Sequence, residues 1–187
     1  ELRLSDWFHF ISGCSTGAII ATGLSMGMTV DELRGIYVNA GPAMFRHAGW
    51  WTRIFFHRYV HRELALIMQE RFGADTTLGS DKLRSLLMVA STAAPTFFAP
   101  ESITLPGVNR PFVFVDGGLT PYNNPAFLMY LQAVLPAYRI GWTASEKDML
   151  IVSVGTGLHP KSAPDLSPRK MNILYSASVT PATLMYS

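Results

Sequence analysis

The stretch that decides the fold is residues 11–18, which read Ile11-Ser12-Gly13-Cys14-Ser15-Thr16-Gly17-Ala18 and contain the pattern G-x-S-x-G centred on Ser15. An apolar and aromatic run of strand length, residues 7–11, precedes this stretch, and residues 18–24 have the composition of a buried helix. A strand, a tight turn and a helix form the context in which G-x-S-x-G becomes a nucleophile elbow, a strained turn that presents a serine hydroxyl. The sequence therefore predicts a strand-turn-helix unit with Ser15 in the turn.

Small residues flank Ser15 on both sides, as a tight turn requires. We expect Gly13 and Gly17 to let the strand and the helix approach closely, because glycine has no Cβ. Ser15 Oγ would then lie near a helix N-terminus, where backbone N–H groups and the helix dipole favour a developing oxyanion. An ordinary Gly/Ser-rich turn that caps a helix has the same pattern, and the five residues alone leave both interpretations open.

A serine hydroxyl needs a base to act as a nucleophile. Histidine is the usual base, but none of the five histidines has a local signature of its own: they are His9, His47, His57, His61 and His159. Asp116 is a better candidate, because it ends a β-rich run that starts at Phe112 and is followed by Gly117 and Gly118. Sites in α/β sheets form at the carboxyl ends of strands. A simple Asp-Gly turn after a strand is the alternative interpretation.

Taken together, the motifs of residues 13–17 and 116–118 resemble those of the patatin-like phospholipases, lipid acyl hydrolases that use a Ser-Asp dyad without a histidine. Further similar stretches follow in the family's order, at residues 90–98, 122–126 and 151–157. The resemblance covers most of the chain. It implies a patatin-like three-layer α/β/α fold, with a central, mostly parallel sheet and a nucleophile elbow at a strand-helix turn.

The same resemblance implies a serine hydrolase that acts on the carboxylic esters of lipids, in the manner of a phospholipase A. Asp116 would take the proton from Ser15, which would attack the acyl ester and form an acyl-serine intermediate. The substrate would be a phospholipid or another acyl lipid, and the reaction requires no cofactor and no metal. The motif residues expected to support the elbow and the oxyanion are Gly13, Cys14, Thr16, Gly17, Gly117 and Gly118.

The sequence departs from the family pattern in two places. Family members carry a glycine-rich loop, Asp-Gly-Gly-Gly-x-Arg/Lys-Gly, after their first strand, and its N–H groups help to form the oxyanion hole. The present sequence begins beyond that point, and it is also shorter than the family pattern near residues 89–90. We therefore expect residues 1–187 to form a single patatin-like domain that is incomplete at the N-terminus and lacks residues near 89–90.

Three other functions are compatible with parts of the pattern. A catalytically inactive patatin-like module could bind a lipid or a protein partner, although the presence of both Ser15 and Asp116 argues against it. A Ser-His-Asp esterase would use one of the five histidines. A nucleotide-binding α/β protein could bind phosphate at residues 13–17, but no Walker lysine follows Gly17.

Composition narrows the class of partner and the compartment. The chain is 49% hydrophobic and 15% charged, as globular proteins are, and its net charge of +2 without a run of Lys or Arg argues against nucleic acid. The single cysteine, Cys14, suits a reducing compartment. We therefore expect a cytoplasmic protein that contacts membrane surfaces transiently. Secretion is the alternative, since a signal peptide could precede Glu1. Nothing in the sequence predicts an oligomeric state.

Residues 43–62 interleave aromatic and cationic side chains, including Trp50 and Trp51. Such a mixture suits a surface that meets anionic lipid headgroups. The alternative is an irregular connection whose aromatic rings pack on the core while the arginine heads reach water, and we favour this interpretation for the two tryptophans.

Strands are expected near residues 7–12, 83–89, 112–116 and 149–154, alternating with helices as in α/β proteins. The capping-box residues Thr29 and Glu32 predict the start of a helix that ends at Gly41-Pro42. Two later helices are predicted, from Tyr59 to Phe72 with Gly73 as the stop, and from Ala126 to about Leu135 with Asn124 as the cap and Pro125 in the first position.

Overall fold

The computed structural model describes residues 2–44, 61–90, 101–105, 107–114 and 121–155. Within these ranges the chain forms helices and short strands in the order β1 (Phe10–Cys14), α1 (Thr16–Ser25), α2 (Val30–Met44), α3 (His61–Phe72), β2 (Leu86–Ala90), β3 (Glu101–Ile103), β4 (Phe112–Phe114) and α4 (Ala126–Val134). Single turns of 3-10 helix lie at Leu4–Asp6, Pro121–Asn123 and Pro136–Tyr138.

The strand that leads into Ser15 belongs to a parallel pair. β1 and β2 run parallel in a register that pairs Phe10 with Leu86 and Cys14 with Ala90. Parallel neighbours need a crossover connection, and here α1, α2 and α3 all lie between the two strands in sequence. α1 packs against both strands. Helices combined with a parallel pair give the α/β class expected from the sequence, while the three-layer arrangement stays a prediction.

A second pairing is antiparallel and joins β3 to β4, with Ser102 opposite Val113. The sequence predicts a strand at residues 112–116, and the structure describes it as far as Phe114. Its partner β3 was not predicted. Three residues of mixed polarity, Glu101–Ile103, lack the length and the alternation that mark a strand in sequence.

The predicted strand over residues 149–154 is wrong. In the structure these residues adopt no regular secondary structure, and Leu150 and Val154 are 79% and 91% exposed. An apolar run suggests burial, but a strand exists only through hydrogen bonds to a neighbouring strand. Within the described ranges, the sheets consist of the pairs β1–β2 and β3–β4, so this segment has no strand beside it there.

The start of α2 is confirmed by its predicted capping box. The Thr29 N–H donates to Glu32 Oε2 at 2.7 Å, and the Glu32 N–H donates to Thr29 Oγ1 at 3.2 Å. The hydrogen bonds from the Thr29 backbone and side chain lower the pKa of the Glu32 carboxyl. Two N–H groups that the first helical turn leaves without a helical acceptor are thereby satisfied.

The predicted end of α2 at Gly41-Pro42 is wrong, because the helix continues to Met44. A proline inside a helix removes one backbone hydrogen bond, here the bond to the carbonyl of Val38. Pro42 lies in the last turn, where few bonds remain to be lost.

The other predicted elements agree with the structure closely. The helix predicted from Tyr59 is described from His61 and ends at Phe72, where Gly73, with φ 92°, donates its N–H to the Gln69 carbonyl at 2.9 Å. Three further elements shift by at most three residues: residues 7–12 are observed as a strand at 10–14, residues 83–89 as a strand at 86–90, and residues 126–135 as a helix at 126–134.

A small apolar core joins the three helices that follow β1. Leu33 and Ile36 of α2 are buried at its centre, and the side chains packed around them come from α1, its C-terminal turn and α3: Ile19, Leu24, Met28, Leu64, Ile67 and Met68. Gly23 of α1 allows a close approach, since a Cβ there would lie 2.4 Å from Leu33 Cδ2. The position of α1, which begins directly after Ser15, is therefore fixed by α2.

None of the helices in the described ranges has both the length and the apolar character that crossing a bilayer requires. In the same part of the chain, no three His, Cys, Asp or Glu side chains come together as a metal-binding group would. The segment rich in aromatic residues and cations, including Trp50 and Trp51, lies almost entirely outside the described residues.

Candidate active site

Ser15 has a strained backbone conformation, with φ 52° and ψ −122°. Only two non-glycine residues in the described ranges have a positive φ, and the other is Arg139, which follows a 3-10 turn as its C-cap. Ser15 is the single residue between the end of β1 and the start of α1. A residue held in such a sparsely populated region costs on the order of 1–3 kcal/mol, which the surrounding structure must offset.

Gly13 makes this turn sterically possible. A Cβ at Gly13 would lie 2.0 Å from the carbonyl oxygen of Gly17 and 2.6 Å from the nitrogen of Ala18. Both atoms belong to the backbone of α1, so no side-chain movement could relieve the clash. The prediction that Gly13 allows the strand and the helix to approach closely is therefore confirmed.

The corresponding prediction for Gly17 is wrong. A Cβ at Gly17 would meet no atom of the described residues within 4 Å. Gly17 takes part in the close contact through its backbone carbonyl, which faces Gly13, and not through the absence of a side chain.

The first turn of α1 presents backbone N–H groups beside Ser15. The Ala18 N–H donates to the Ser15 carbonyl at 2.9 Å. The N–H groups of Thr16 and Gly17 precede the first bond within the helix and point toward its N-terminus, as in any α-helix. The helix dipole favours negative charge at the same place. The geometry therefore suits an oxyanion formed next to Ser15 Oγ.

Cys14 and Thr16, the immediate neighbours of Ser15, differ in their surroundings. Cys14 is buried, forms no disulfide and lies opposite Ala90 in the β1–β2 ladder. This placement fits the expected packing role of a small apolar side chain. Thr16 is exposed, and its carbonyl accepts a hydrogen bond from the hydroxyl of Tyr37 at 2.8 Å.

Tyr37 is a residue of this region that the sequence analysis missed. It lies on α2, 21 residues beyond Thr16, and is about half-buried. Burial raises the pKa of its hydroxyl to about 12, so the group is a neutral hydrogen-bond donor throughout the neutral range. A tyrosine on an amphipathic helix usually signals packing, and no local pattern marks it as a neighbour of the elbow.

Asp116, Gly117 and Gly118 lie outside the described residues, so the predicted pairing of Asp116 with Ser15 stays a prediction. The chain is described on both sides of this motif, up to Phe114 in β4 and again from Pro121. After the motif, α4 packs against β1, the strand that leads to Ser15.

Asn124 shapes the chain just beyond the aspartate motif. Its Oδ1 accepts the N–H of Ala126 at 3.2 Å and the hydroxyl of Ser153 at 3.2 Å. Asn124 was predicted as the cap with Pro125 in the first helical position, but Pro125 occupies the N-cap position of α4 and Asn124 lies one residue before it. The bond to Ser153 joins the start of α4 to residues 149–155, which the sequence analysis did not anticipate.

His9 is unsuited to be the base for Ser15. It precedes β1, while Ser15 follows β1, and six residues of extended chain span about 20 Å. The exposed His9 ring meets the edge of Trp142, with 6.3 Å between ring centroids. The side chains of the other four histidines lie outside the described part of the structure.

A cavity of about 350 Å³ lies at this distant end of β1. Its lining residues are Gly141, Trp142, Thr143, Asp148 and Met149. Trp142 contacts His9 and Phe10, at the start of β1, by edge-on ring contacts. The cavity is therefore separate from the turn that holds Ser15.

The chain is similar to a phospholipase and to a patatin over most of its length. It is 24% identical over 195 residues to a cGAMP-activated phospholipase of Escherichia coli (strain TW11681), which covers 83% of this chain and 52% of that protein. It is 25% identical over 202 residues to Patatin-B1 of Solanum tuberosum, which covers 84% of this chain and 52% of that protein.

No family model matches the chain. The chain spans about half the length of the curated relatives described above. These relatives nevertheless confirm that this chain resembles the patatin-like phospholipases.

Proposed function

We propose that this chain is part of a lipid acyl hydrolase that cleaves fatty acyl esters through a Ser15–Asp116 dyad. The observation that carries the proposal is the conformation of Ser15, a strained residue between a parallel strand and the N-terminus of a helix. An ordinary capping turn has no need of a positive φ at its serine, whereas a nucleophile elbow requires a sharp, strained turn. We also expect the sheet to belong to a three-layer α/β/α fold.

The reaction begins when Asp116 accepts the proton of Ser15 Oγ while the oxygen attacks the acyl carbonyl carbon. The tetrahedral intermediate collapses, the bond to the alcohol oxygen breaks, and the proton passes from Asp116 to the leaving alcohol. Water then attacks the acyl-serine while Asp116 accepts its proton. The bond between the acyl carbon and Ser15 Oγ breaks, the proton returns from Asp116 to Oγ, and the fatty acid is released. General-base assistance of this kind contributes about 10²–10⁴-fold to the rate.

The negative charge of each tetrahedral intermediate would be held by the N–H groups at the start of α1. Donors from the glycine-rich loop that the resemblance implies would complete the oxyanion hole. Loss of one such donor typically costs about 3–4 kcal/mol of transition-state stabilisation. The loop and the first turn of α1 are therefore both needed for full activity.

The substrate class follows from the relatives, because one of them is by name a phospholipase and another is a patatin. We expect a phospholipid or another acyl lipid as the substrate of this chain. Such substrates lie in membranes, so we also expect a cytoplasmic enzyme that contacts the membrane surface transiently.

The proposal is tested by labelling the full-length protein with a fluorophosphonate, which reacts only with an activated serine. We expect an adduct on Ser15 of the wild type, located by peptide mass, none there in Ser15→Ala, and much slower labelling in Asp116→Asn. Ser145→Ala is a matched control, because Ser145 lies in a turn and its Oγ accepts only the nearby Lys147 N–H in the described structure. It should be labelled like the wild type.

Hydrolysis of phospholipid or of short p-nitrophenyl esters should be lost in the same two variants. Undiminished turnover by Ser15→Ala would remove Ser15 from the nucleophile role. A folded full-length protein that gives no adduct would instead favour a catalytically inactive lipid- or partner-binding module. Normal labelling of Asp116→Asn, with loss in a histidine variant, would favour a Ser-His-Asp esterase.

A further inference from the structure

Tyr37 ties the second helix of the fold to the turn that holds Ser15. Its Oη donates a hydrogen bond of 2.8 Å to the carbonyl of Thr16, the residue that follows the proposed nucleophile. Leu33 and Ile36, one turn before and directly before Tyr37 on α2, are buried in the core with side chains of α1. The hydroxyl is thus held by a helix that is itself fixed against α1.

The accepting carbonyl belongs to the peptide unit that joins Thr16 to Gly17. In a planar trans peptide the C=O and the N–H point in opposite directions. A bond that fixes the Thr16 carbonyl therefore also fixes the direction of the Gly17 N–H. This N–H is one of the donors at the start of α1, beside Ser15.

Gly17 is held from its other side as well. Its own carbonyl lies so close to the Cα of Gly13 that a Cβ there would be 2.0 Å from the oxygen. The peptide unit before Gly17 is thus fixed by Tyr37, and the one after it is confined by β1. Hydrogen bonds in a chain also polarise one another, so a donor on the Thr16 carbonyl makes the Gly17 N–H a stronger donor.

We propose that Tyr37 is a positioning residue for the oxyanion site, which it serves by orienting and polarising the Gly17 N–H. The inference rests on the proposed hydrolase function and deepens it. Tyr37 touches neither substrate nor Ser15 Oγ in this role and acts only through the Thr16–Gly17 peptide. Because burial raises the pKa of the Tyr37 hydroxyl to about 12, the donor is present throughout the neutral range.

The test is Tyr37→Phe in the full-length protein, which removes one hydroxyl and keeps the aromatic ring. The oxyanion exists in the transition state and not in the bound ester, so kcat should fall while KM stays constant. We expect kcat and the rate of fluorophosphonate labelling at Ser15 to fall roughly 2- to 10-fold, the change that loss of one neutral hydrogen bond produces.

Tyr138→Phe is the matched control, because it removes the same atom from an exposed tyrosine in a 3-10 turn. It should leave both rates unchanged. A second readout does not depend on turnover: the amide 15N resonance of Gly17 should move upfield in Tyr37→Phe, since the preceding carbonyl loses the hydrogen bond from Tyr37 and keeps only its bond within α1. Thermal unfolding of both variants ensures that rates are compared well below their melting temperatures.

The outcomes separate the two proposals. An adduct on Ser15 that forms at equal rates in the wild type and Tyr37→Phe would overturn the role of Tyr37 and leave the hydrolase intact. A raised KM with unchanged kcat, or an unshifted Gly17 resonance, would also overturn it, because either indicates a merely structural residue. No adduct on Ser15 of the folded wild type would overturn both proposals.

Discussion

At the scale of single residues, Ser15 depends on neighbours that hold it in a conformation it would not adopt alone. Its positive φ raises the free energy of the folded chain by about 1–3 kcal/mol, and the packing of β1 and α1 on either side offsets this strain. Gly13 lets β1 run against the first turn of α1. The apolar core around Leu33 packs α1 against α2.

Replacement of Gly13 by alanine should disrupt this arrangement. The new Cβ would overlap the Gly17 carbonyl, and two backbone segments would have to separate. We expect Gly13→Ala to lower the free energy of unfolding by at least about 2 kcal/mol, the scale of overpacking in a tight site. Urea unfolding measures the loss, and fluorophosphonate labelling of the folded fraction should show that Ser15 has lost reactivity.

Gly35→Ala is the control for the Gly13 variant. Gly35 lies inside α2, where a Cβ would meet no described atom within 4 Å. Alanine favours a helix over glycine by about 0.5–1 kcal/mol, so this variant should be as stable as the wild type or more so. A Gly13→Ala protein that unfolds at the wild-type urea midpoint would contradict the packing described for the elbow.

The same residues show what sequence reasoning can find at this scale. Ser15 and Gly13 were predictable because the constraint acts within five residues and leaves a recognisable pattern. Tyr37 was not, because its bond to Thr16 spans 21 residues and depends on how two helices cross. The failed prediction for Gly17 has a related cause, since a pattern names a glycine without showing which of its atoms makes the contact.

At the scale of elements, the start of α2 has a measurable dependence on pH. Hydrogen bonds from Thr29 lower the pKa of Glu32 in the folded chain from its ordinary value of 4.5. A lowered pKa contributes stability that is present above about pH 4.5 and is lost as pH falls through the folded-state pKa. The free-energy difference between the wild type and Glu32→Gln should therefore shrink as pH falls from about 7 to about 3.

Urea unfolding of both proteins across that pH range measures the difference. Asp31→Asn is the control, because Asp31 lies in the same first turn and forms no capping-box hydrogen bond with Thr29 in the described part of the chain. A difference between the wild type and Glu32→Gln that stays constant with pH would mean that the Thr29–Glu32 bonds contribute nothing in solution.

Elements whose limits are set by local chemistry were predicted well, and elements that need a distant partner were not. Thr29 and Gly73 mark helix ends through bonds within four residues of themselves. The observed strand β3 was not predicted, and the strand predicted at residues 149–154 is not observed. Both errors arise because strand formation depends on which segment lies alongside. The helix end predicted at Gly41-Pro42 was wrong for another reason: in the final turn of a helix, a proline removes few hydrogen bonds and destabilises the helix little.

At the scale of the whole molecule, residues 121–155 return to the strand that carries Ser15. α4 packs on β1, and Trp142 meets Phe10 at the start of that strand with ring centroids 6.2 Å apart and planes at 89°. The backbone N–H of Trp142 also donates a hydrogen bond of 2.8 Å to the carbonyl of Ala133 in α4. Trp142 therefore links α4 to β1 from one side.

This link matters because the proposed base, Asp116, precedes residues 121–155 in the chain while the proposed nucleophile follows β1. We therefore expect the attachment of residues 121–155 to β1 to help align the two. The sequence predicted the two motifs separately, and the resemblance joined them, but nothing in the sequence indicated that Trp142 would help to fix one part of the chain on the other.

Trp142→Ala should weaken that attachment. The side chain is 37% exposed, so its loss should cost less than removal of a fully buried tryptophan, and we expect about 2 kcal/mol in the free energy of unfolding. Trp142→Phe keeps an aromatic edge toward Phe10 and should lose less. Hydrogen exchange of α4 amides should accelerate more in the alanine variant than in the phenylalanine variant, while the amides of α2 change little. Equal exchange of α4 in all three proteins would mean that this helix is held on β1 without Trp142, and that the proposed dyad owes its alignment to other contacts.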